Sequence, residues 1–158
     1  MIPYFGKHSA KQFIRGKPIR FGYKLWGVAD PDDGWMLHVE PYCGSSTRLP
    51  KTRHGQGGNV VLGLLDAIGA QEGSEVAFDN LFTSQGLLED LTVKGIKGTG
   101  TLRENRVKKE MRLPTKKEAA KKPRGDVDYR TSPDKKLIAV HGARKITMKE
   151  LLKFNLNN

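Results

Sequence analysis

Val76-Ala77-Phe78-Asp79-Asn80-Leu81-Phe82-Thr83-Ser84 is the stretch on which the reading of this chain turns. A short apolar run stops on a carboxylate, and a Thr/Ser pair follows at once. The apolar part suits a strand. Ser84 suits a helix cap, because its hydroxyl can accept from the open backbone N–H groups of a first turn. Asp79 is therefore expected at the end of a sheet strand, just ahead of a helix. That is where α/β proteins assemble metal-dependent phosphodiester chemistry. One carboxylate cannot hold two metal ions, so its partners must be sought elsewhere in the chain.

On either side the periodicity changes from two to near four. Upstream, Asn59 is a candidate cap for a helix whose Val61, Leu64, Leu65 and Ile68 form one apolar stripe, with Gly69 as its stop. Glu75 to Phe78 is the expected strand. Downstream, Leu87, Leu88 and Leu91 give the second helix its buried face, and Gly95 ends it. Ile96 to Leu102 alternates again, and its glycines permit close backbone approach. Cys43 to Gly58 is polar and glycine-rich, and is expected to be a loop.

Towards the N-terminus, Ile19, Phe21, Tyr23, Leu25 and Gly27 are expected on one face of a strand, with Arg20, Lys24 and Trp26 on the other. Asp30-Pro31-Asp32-Asp33-Gly34 is a turn signal, and Trp35, Leu37 and Val39 alternate on the return, giving an antiparallel hairpin. Before it, Lys7, Lys11, Arg15, Lys17 and Arg20 are interleaved with Tyr4, Phe5, Phe13 and Phe21. That mixture suits phosphate contact with base stacking, or equally core aromatics beside solvated lysines. Beyond Leu102, Arg103 to Arg124 is dominated by Lys and Arg and carries almost no core material. It reads as a solvated insertion with a short helix around Lys116 to Lys121. Asp128 to Arg130 and Leu137 to Val140 suggest a second hairpin through Ser132-Pro133-Asp134, and Met148 to Phe154 a terminal helix.

Composition narrows the chemistry. The 158 residues are about one domain's length, and 28 Lys and Arg against 17 Asp and Glu leave a formal charge of +11. Such an excess favours polyanions, nucleic acid above all, because neutralising phosphates releases condensed counterions. Cys43 is the single cysteine, which excludes an internal disulfide and a cysteine-built zinc site. No apolar run approaches the roughly 20 residues of a membrane span, and an intracellular, soluble chain is expected. There is no Gly-rich phosphate loop, no Ser/His/Asp elbow and no His-x-x-x-His pair. His8, His38, His54 and His141 are scattered, and no ligand role is expected of them.

Several strings, taken in order, resemble the transposase domain of piggyBac transposable elements and of host proteins derived from them. They are Met1-Ile2-Pro3-Tyr4-Phe5-Gly6, Lys17 to Lys24, Glu40-Pro41-Tyr42-Cys43-Gly44, Phe78 to Ser84, Gly98 to Asn105, and Lys122-Pro123-Arg124-Gly125 before Asp128-Tyr129-Arg130. The resemblance implies an α/β, RNase H-like fold, a mixed sheet flanked by helices, here incomplete. It implies DNA as partner, a nuclear location, and cut-and-paste transposition in which three aspartates bind two Mg²⁺. Two such ions stand about 3.5–4 Å apart, one activating the attacking oxygen and one stabilising the leaving oxygen.

Asp79 matches the family's second catalytic aspartate, and with it a metal ligand. The first belongs to an Asp-Glu-Gln string just before the position matched by Met1, and the third to a downstream Gly-Gly-Val-Asp string; neither string occurs in this sequence. The expected organisation is therefore a partial transposase domain over residues 1–140, with its basic insertion at about 103–125, and a divergent tail over 141–158. Glu40, Asp126 and Asp128 are the remaining acids considered as stand-in ligands, against ordinary roles as a strand-end charge and turn formers.

Three readings follow. In the first, the chain is a truncated transposase-derived domain without catalysis and without a bound cofactor, whose residual activity is DNA binding through Lys108, Lys109, Lys116, Lys117, Lys121, Lys122 and Arg124. In the second, it is a Mg²⁺-dependent transposase or nuclease once missing segments or a full-length transposase-like partner complete the site. In the third, it is a structural remnant.

Overall fold

The structure, a computed structural model, describes residues 1–103, 106, 111, 113–119, 121–123, 125–142 and 145–150. Ten strands and three helices are described: β1 (Ile2–Pro3), β2 (Gln12–Phe13), β3 (Phe21–Tyr23), β4 (Leu25–Ala29), β5 (Met36–Pro41), α1 (Gly55–Ala67), β6 (Glu75–Phe78), α2 (Gln85–Val93), β7 (Lys97–Thr101), α3 (Lys116–Ala119), β8 (Val127–Thr131), β9 (Leu137–Gly142) and β10 (Lys145–Glu150). They form an α/β protein with small sheets and few helices. The chain divides into two units, Met1–Lys51 with Asn59–Gly69, and Thr52–Gly58 with the chain from Ala70 onward.

The first unit holds two small antiparallel sheets. One has the order β1-β3-β2, and the other is the β4–β5 hairpin. The hairpin turns at Asp30 to Gly34, as the sequence suggests: Asp30 Oδ1 accepts from Asp32 N, Asp33 Oδ1 accepts from Trp35 N, and Gly34 takes a φ of +73°. The single strand expected over Ile19 to Gly27 is instead two, broken at Lys24 and shared between the two sheets. Gly22 lies inside β3, and at Lys24 the carbonyl already accepts from Tyr42 N, just past β5. Gly22 pairs with Pro3 on one side and Gln12 on the other, and a Cβ there would stand 1.9 Å from the Ile2 carbonyl oxygen. Gly22 and Trp26 are buried, and Phe21 is exposed.

Helix α1 buries Val61, Leu64 and Leu65 of the stripe read from its sequence, with Val60 beside them and Ile68 only half-buried, and stops at Gly69 with a φ of +64°. It starts four residues before Asn59, however, so Gly55 to Gly58 is helix rather than loop. Cys43 and the residues after it form a single 3-10 turn, Gly44–Ser46.

The second unit is built on a five-stranded mixed sheet of order β6-β7-β10-β9-β8. β6 and β7 are parallel and joined through α2, and every other pairing is antiparallel. Its core is Leu87, Leu88 and Leu91 from α2 with Ile96, Leu102, Leu137 and Ala139, joined by Met111, Leu113 and Ala119 from the stretch expected to carry almost no core material. Lys145–Glu150 is a strand, so the expected helix from Met148 does not begin there; residues 151–154 lie outside the described part. The physical reason is partner strands on both sides: β10 aligns Met148 with Gly100 of β7 and with Ala139 of β9. Sheet pairing overrides the helix-forming Lys, Met and Leu composition.

Candidate functional site

Asp79 lies where its sequence context puts it, immediately after β6 and five residues before Ser84, the cap of α2. Ser84 Oγ accepts from Leu87 N at 3.3 Å, so the helix opens as read. The turn between them is held from its own atoms. Asp79 Oδ1 accepts from Leu81 N at 2.7 Å, and the Asp79 carbonyl accepts from Thr83 Oγ1 at 2.7 Å and from the amides of Phe82 and Thr83 at 3.2 Å. Thr83 is fully buried, while Asp79 is exposed. The backbone of the turn is fixed and the carboxylate is presented to solvent.

Two glycines seat this turn. A Cβ at Gly100 in β7 would lie 2.3 Å from Thr83 Oγ1 and 2.9 Å from the Phe78 ring, and one at Gly57 in the first turn of α1 would lie 2.7 Å from the Leu81 carbonyl oxygen. Both approaches need a residue without a side chain. Against Gly58 and Gly86, His54 Nε2 stands 2.6 Å from Asp90 Oδ2 on α2, and Arg53 donates to the other oxygen of the same carboxylate. These partners, His54 first, hold the Asp90 carboxyl below its ordinary range.

Two arginines after β7 complete the frame. Arg106 Nη1 donates to the carbonyls of Asn80 at 2.9 Å, Thr83 at 3.1 Å and Leu81 at 3.2 Å, and Arg103 reaches Asn80 Oδ1 at 3.3 Å through Nε and Nη2. A guanidinium donates in a planar fork, which suits a cluster of carbonyls on one turn. In the sequence both arginines belong to the expected solvated insertion, and neither stands out as a framing residue. Their one signal is position, within or just after the string Gly98 to Asn105.

The other candidates fall elsewhere. Lys117 and Lys121 are exposed, on and just after α3, whose Glu118 Oε2 accepts from Thr115 N and Oγ1 in a capping box. Lys122 is engaged: its Nζ donates to Asp128 at 2.6 and 2.7 Å and lies 3.7 Å from Asp126. That hydrogen bond to Asp128 raises the lysine above its ordinary pKa. Asp126 and Asp128 thus serve Lys122, and Glu40 lies 4.0 Å from His38. Lys108, Lys109, Arg124 and the side chain of Lys116 lie outside the described part. Among the described residues, no three His, Cys, Asp or Glu side chains converge as a metal-holding group, and no helix is long and apolar enough to cross a membrane. A two-ion site needs several oxygen ligands around each Mg²⁺, and Asp79 alone does not supply them.

The chain that carries this turn is similar to proteins of a known class. A family model described as Transposase IS4 matches residues 1–155. The chain is 40% identical over 134 residues to human PiggyBac transposable element-derived protein 3, a match covering 82% of this chain and 22% of that protein. It is 38% identical over 144 residues to human PiggyBac transposable element-derived protein 2, covering 87% of this chain and 23% of that one. A solved piggyBac transposase synaptic complex with hairpin DNA shares the fold, with a TM-score of 0.74 at 23% identity over 95% of this chain and 31% of the other.

This chain belongs to the piggyBac-type transposase family, a group of DDE-type transposases that are generally metal dependent. It spans about a fifth of the length of the curated relatives it matches.

Proposed function

We propose that this chain is a transposase-derived, RNase H-like domain that contributes the second aspartate of the family's site, does not catalyse by itself, and contacts duplex DNA in the nucleus through its basic surface. The observation that carries the reading is the state of Asp79. Its turn is braced by Thr83, Arg106, Gly57 and Gly100, yet among the described residues its carboxylate joins no group of three or more His, Cys, Asp or Glu side chains that could hold a metal ion. The +11 charge and the exposed Lys117 and Lys121 support the DNA contact.

Binding of a duplex at low salt tests it. Replacing Lys117 and Lys121 with alanine should weaken binding to all sequences alike and flatten the salt slope by about 0.9 for each phosphate no longer neutralised. No duplex binding at low salt would contradict the DNA part.

The exposed carboxylate favours a second reading, in which a partner chain supplies the missing ligands. Mg²⁺-dependent nicking that appears only on adding a full-length relative, and disappears in Asp79→Asn, would establish it.

A further inference from the structure

The first unit carries a surface that the Asp79 turn does not use. Phe13 and Phe21 are directly opposed in β2 and β3, with ring centroids 4.9 Å apart and planes at 40°. A cross-strand aromatic pair is ordinarily a core contact, but here both rings are open, at 58% and 46% exposure. Lys11 Nζ stands 5.5 Å from the centre of the Phe21 ring, a cation–π distance. The hairpin closes just beyond the pair through Ile14 N to Arg20 O, and its tip carries the exposed Arg15, Lys17 and Arg20 around Gly16, whose φ is +83°.

The charge around the rings is of one sign. Residues 1–29 include Lys7, Lys11, Arg15, Lys17, Arg20 and Lys24 and not one Asp or Glu. The segment that displays the rings is thus a run of cations with no acid of its own to neutralise them.

The geometry points to a site for unpaired nucleic acid, with one or two bases stacked on Phe13 and Phe21 and the flanking phosphates neutralised by the cations of the hairpin tip. Three arguments select this occupant. A phenyl ring offers a π-face and no hydrogen-bonding group, so it can stack on a base but cannot engage the donor and acceptor pattern of a groove. In a duplex the base faces are already covered by their neighbours, and an exposed ring pair gains little there. A second copy of this chain brings another +11 and no acidic patch from the matching segment, so self-association across this face works against like-charge repulsion. The site lies apart in sequence from Lys117 and Lys121 and calls for a different strand state from the duplex contact proposed above.

Anisotropy titration of the full chain against a labelled oligothymidylate, beside a duplex of equal length, tests the inference. Removing one stacked base corresponds to about a 5- to 150-fold drop in affinity. Phe13→Ala/Phe21→Ala should therefore weaken oligothymidylate binding by at least about fivefold and leave duplex binding nearly unchanged. Lys117→Ala/Lys121→Ala should do the opposite. Phe21→Leu separates stacking from simple apolar contact: it should lose affinity, whereas Phe21→Trp should keep it and show indole quenching on titration. Because leucine and tryptophan are both conservative at this exposed site, that pair carries the test even if the double alanine variant is poorly folded. The inference is overturned if Phe21→Leu and Phe21→Trp bind oligothymidylate alike, if single-strand binding is absent at low salt, or if the two rings prove to be buried in a self-assembled form that Phe13→Ala/Phe21→Ala dissolves.

Discussion

The turn after β6 and the hairpin between β2 and β3 are both short reversals bearing charged or aromatic groups, and they are built in opposite ways. At the first, every element of the backbone is tied. Thr83 and Arg106 satisfy its carbonyls, Gly57 and Gly100 let neighbouring backbone and side chains close on it, and the Asp79 side chain stays exposed. At the second, the side chains that would normally be covered are open, and their positive neighbours find no acid in the first 29 residues. A site that must place one ligand atom needs rigidity in the chain. A surface that meets a flexible polyanion needs accessible rings and charge. Substitutions should therefore cost stability at the turn and binding at the hairpin.

The sharpest contrast comes from truncating one buried and one open side chain. Leu91→Ala in α2, at 0% exposure, should cost about 2–5 kcal/mol in chemical denaturation. Phe13→Ala should change stability by no more than about 0.5 kcal/mol. Equal losses would dissolve the distinction between the two regions. Next, Gly100→Ala forces a Cβ against Thr83 Oγ1 and the Phe78 ring and should cost about 1–3 kcal/mol. Gly16→Ala, with nothing within 4 Å, meets only the strain of its positive φ, about 1 kcal/mol.

Arg106→Ala removes three hydrogen bonds from the carbonyls of one turn. About 1–2 kcal/mol should be lost, and the amides of Leu81 to Thr83 should exchange faster, with Arg106→Lys restoring less than half. Unchanged exchange there would remove Arg106 from the frame.

The smallest effects lie in pH. Asp90 has a depressed carboxyl in the folded chain, so its contribution is present above the unfolded value of about 3.9 and is lost as pH falls through the lower folded value. The stability of Asp90→Asn should therefore fall less steeply below about pH 4. Lys122 is raised, with the sign reversed: its contribution is full below the unfolded value of about 10.4 and is lost as pH rises through the folded value. Asp128→Asn should blunt the alkaline loss of stability.

How far the sequence carries the fold depends on where each signal resides. The strand into Asp79, the Ser84 cap, the Leu87, Leu88 and Leu91 face and the Asp30 to Gly34 turn are all legible, because their causes lie within a few residues. The start of α1 is not, because Gly57 is glycine for the sake of Leu81, a residue distant in the chain. The strand over Ile19 to Gly27 hides its break, since alternation persists through Lys24 while the partner strands change from β1 and β2 to β5. The end of β10 from Met148 reads as the start of a helix in isolation, its fate being set by strands on either side. Of the candidate site, Asp79 can be found from its local pattern. Arg103 and Arg106 cannot, since nothing in a basic stretch says which arginines face inward. Lys122 likewise reads as a phosphate contact and is held by Asp128.

Among the described residues no metal-holding group forms around Asp79, and the proposed reading is of a chain that does not hold a metal pair by itself. Titrating Mn²⁺ into the purified chain, followed by electron paramagnetic resonance, addresses it directly. The account predicts only weak signals from separate ions, unchanged in Asp79→Asn. A spin-coupled pair of ions bound stoichiometrically by this chain alone, and abolished in Asp79→Asn, would contradict it.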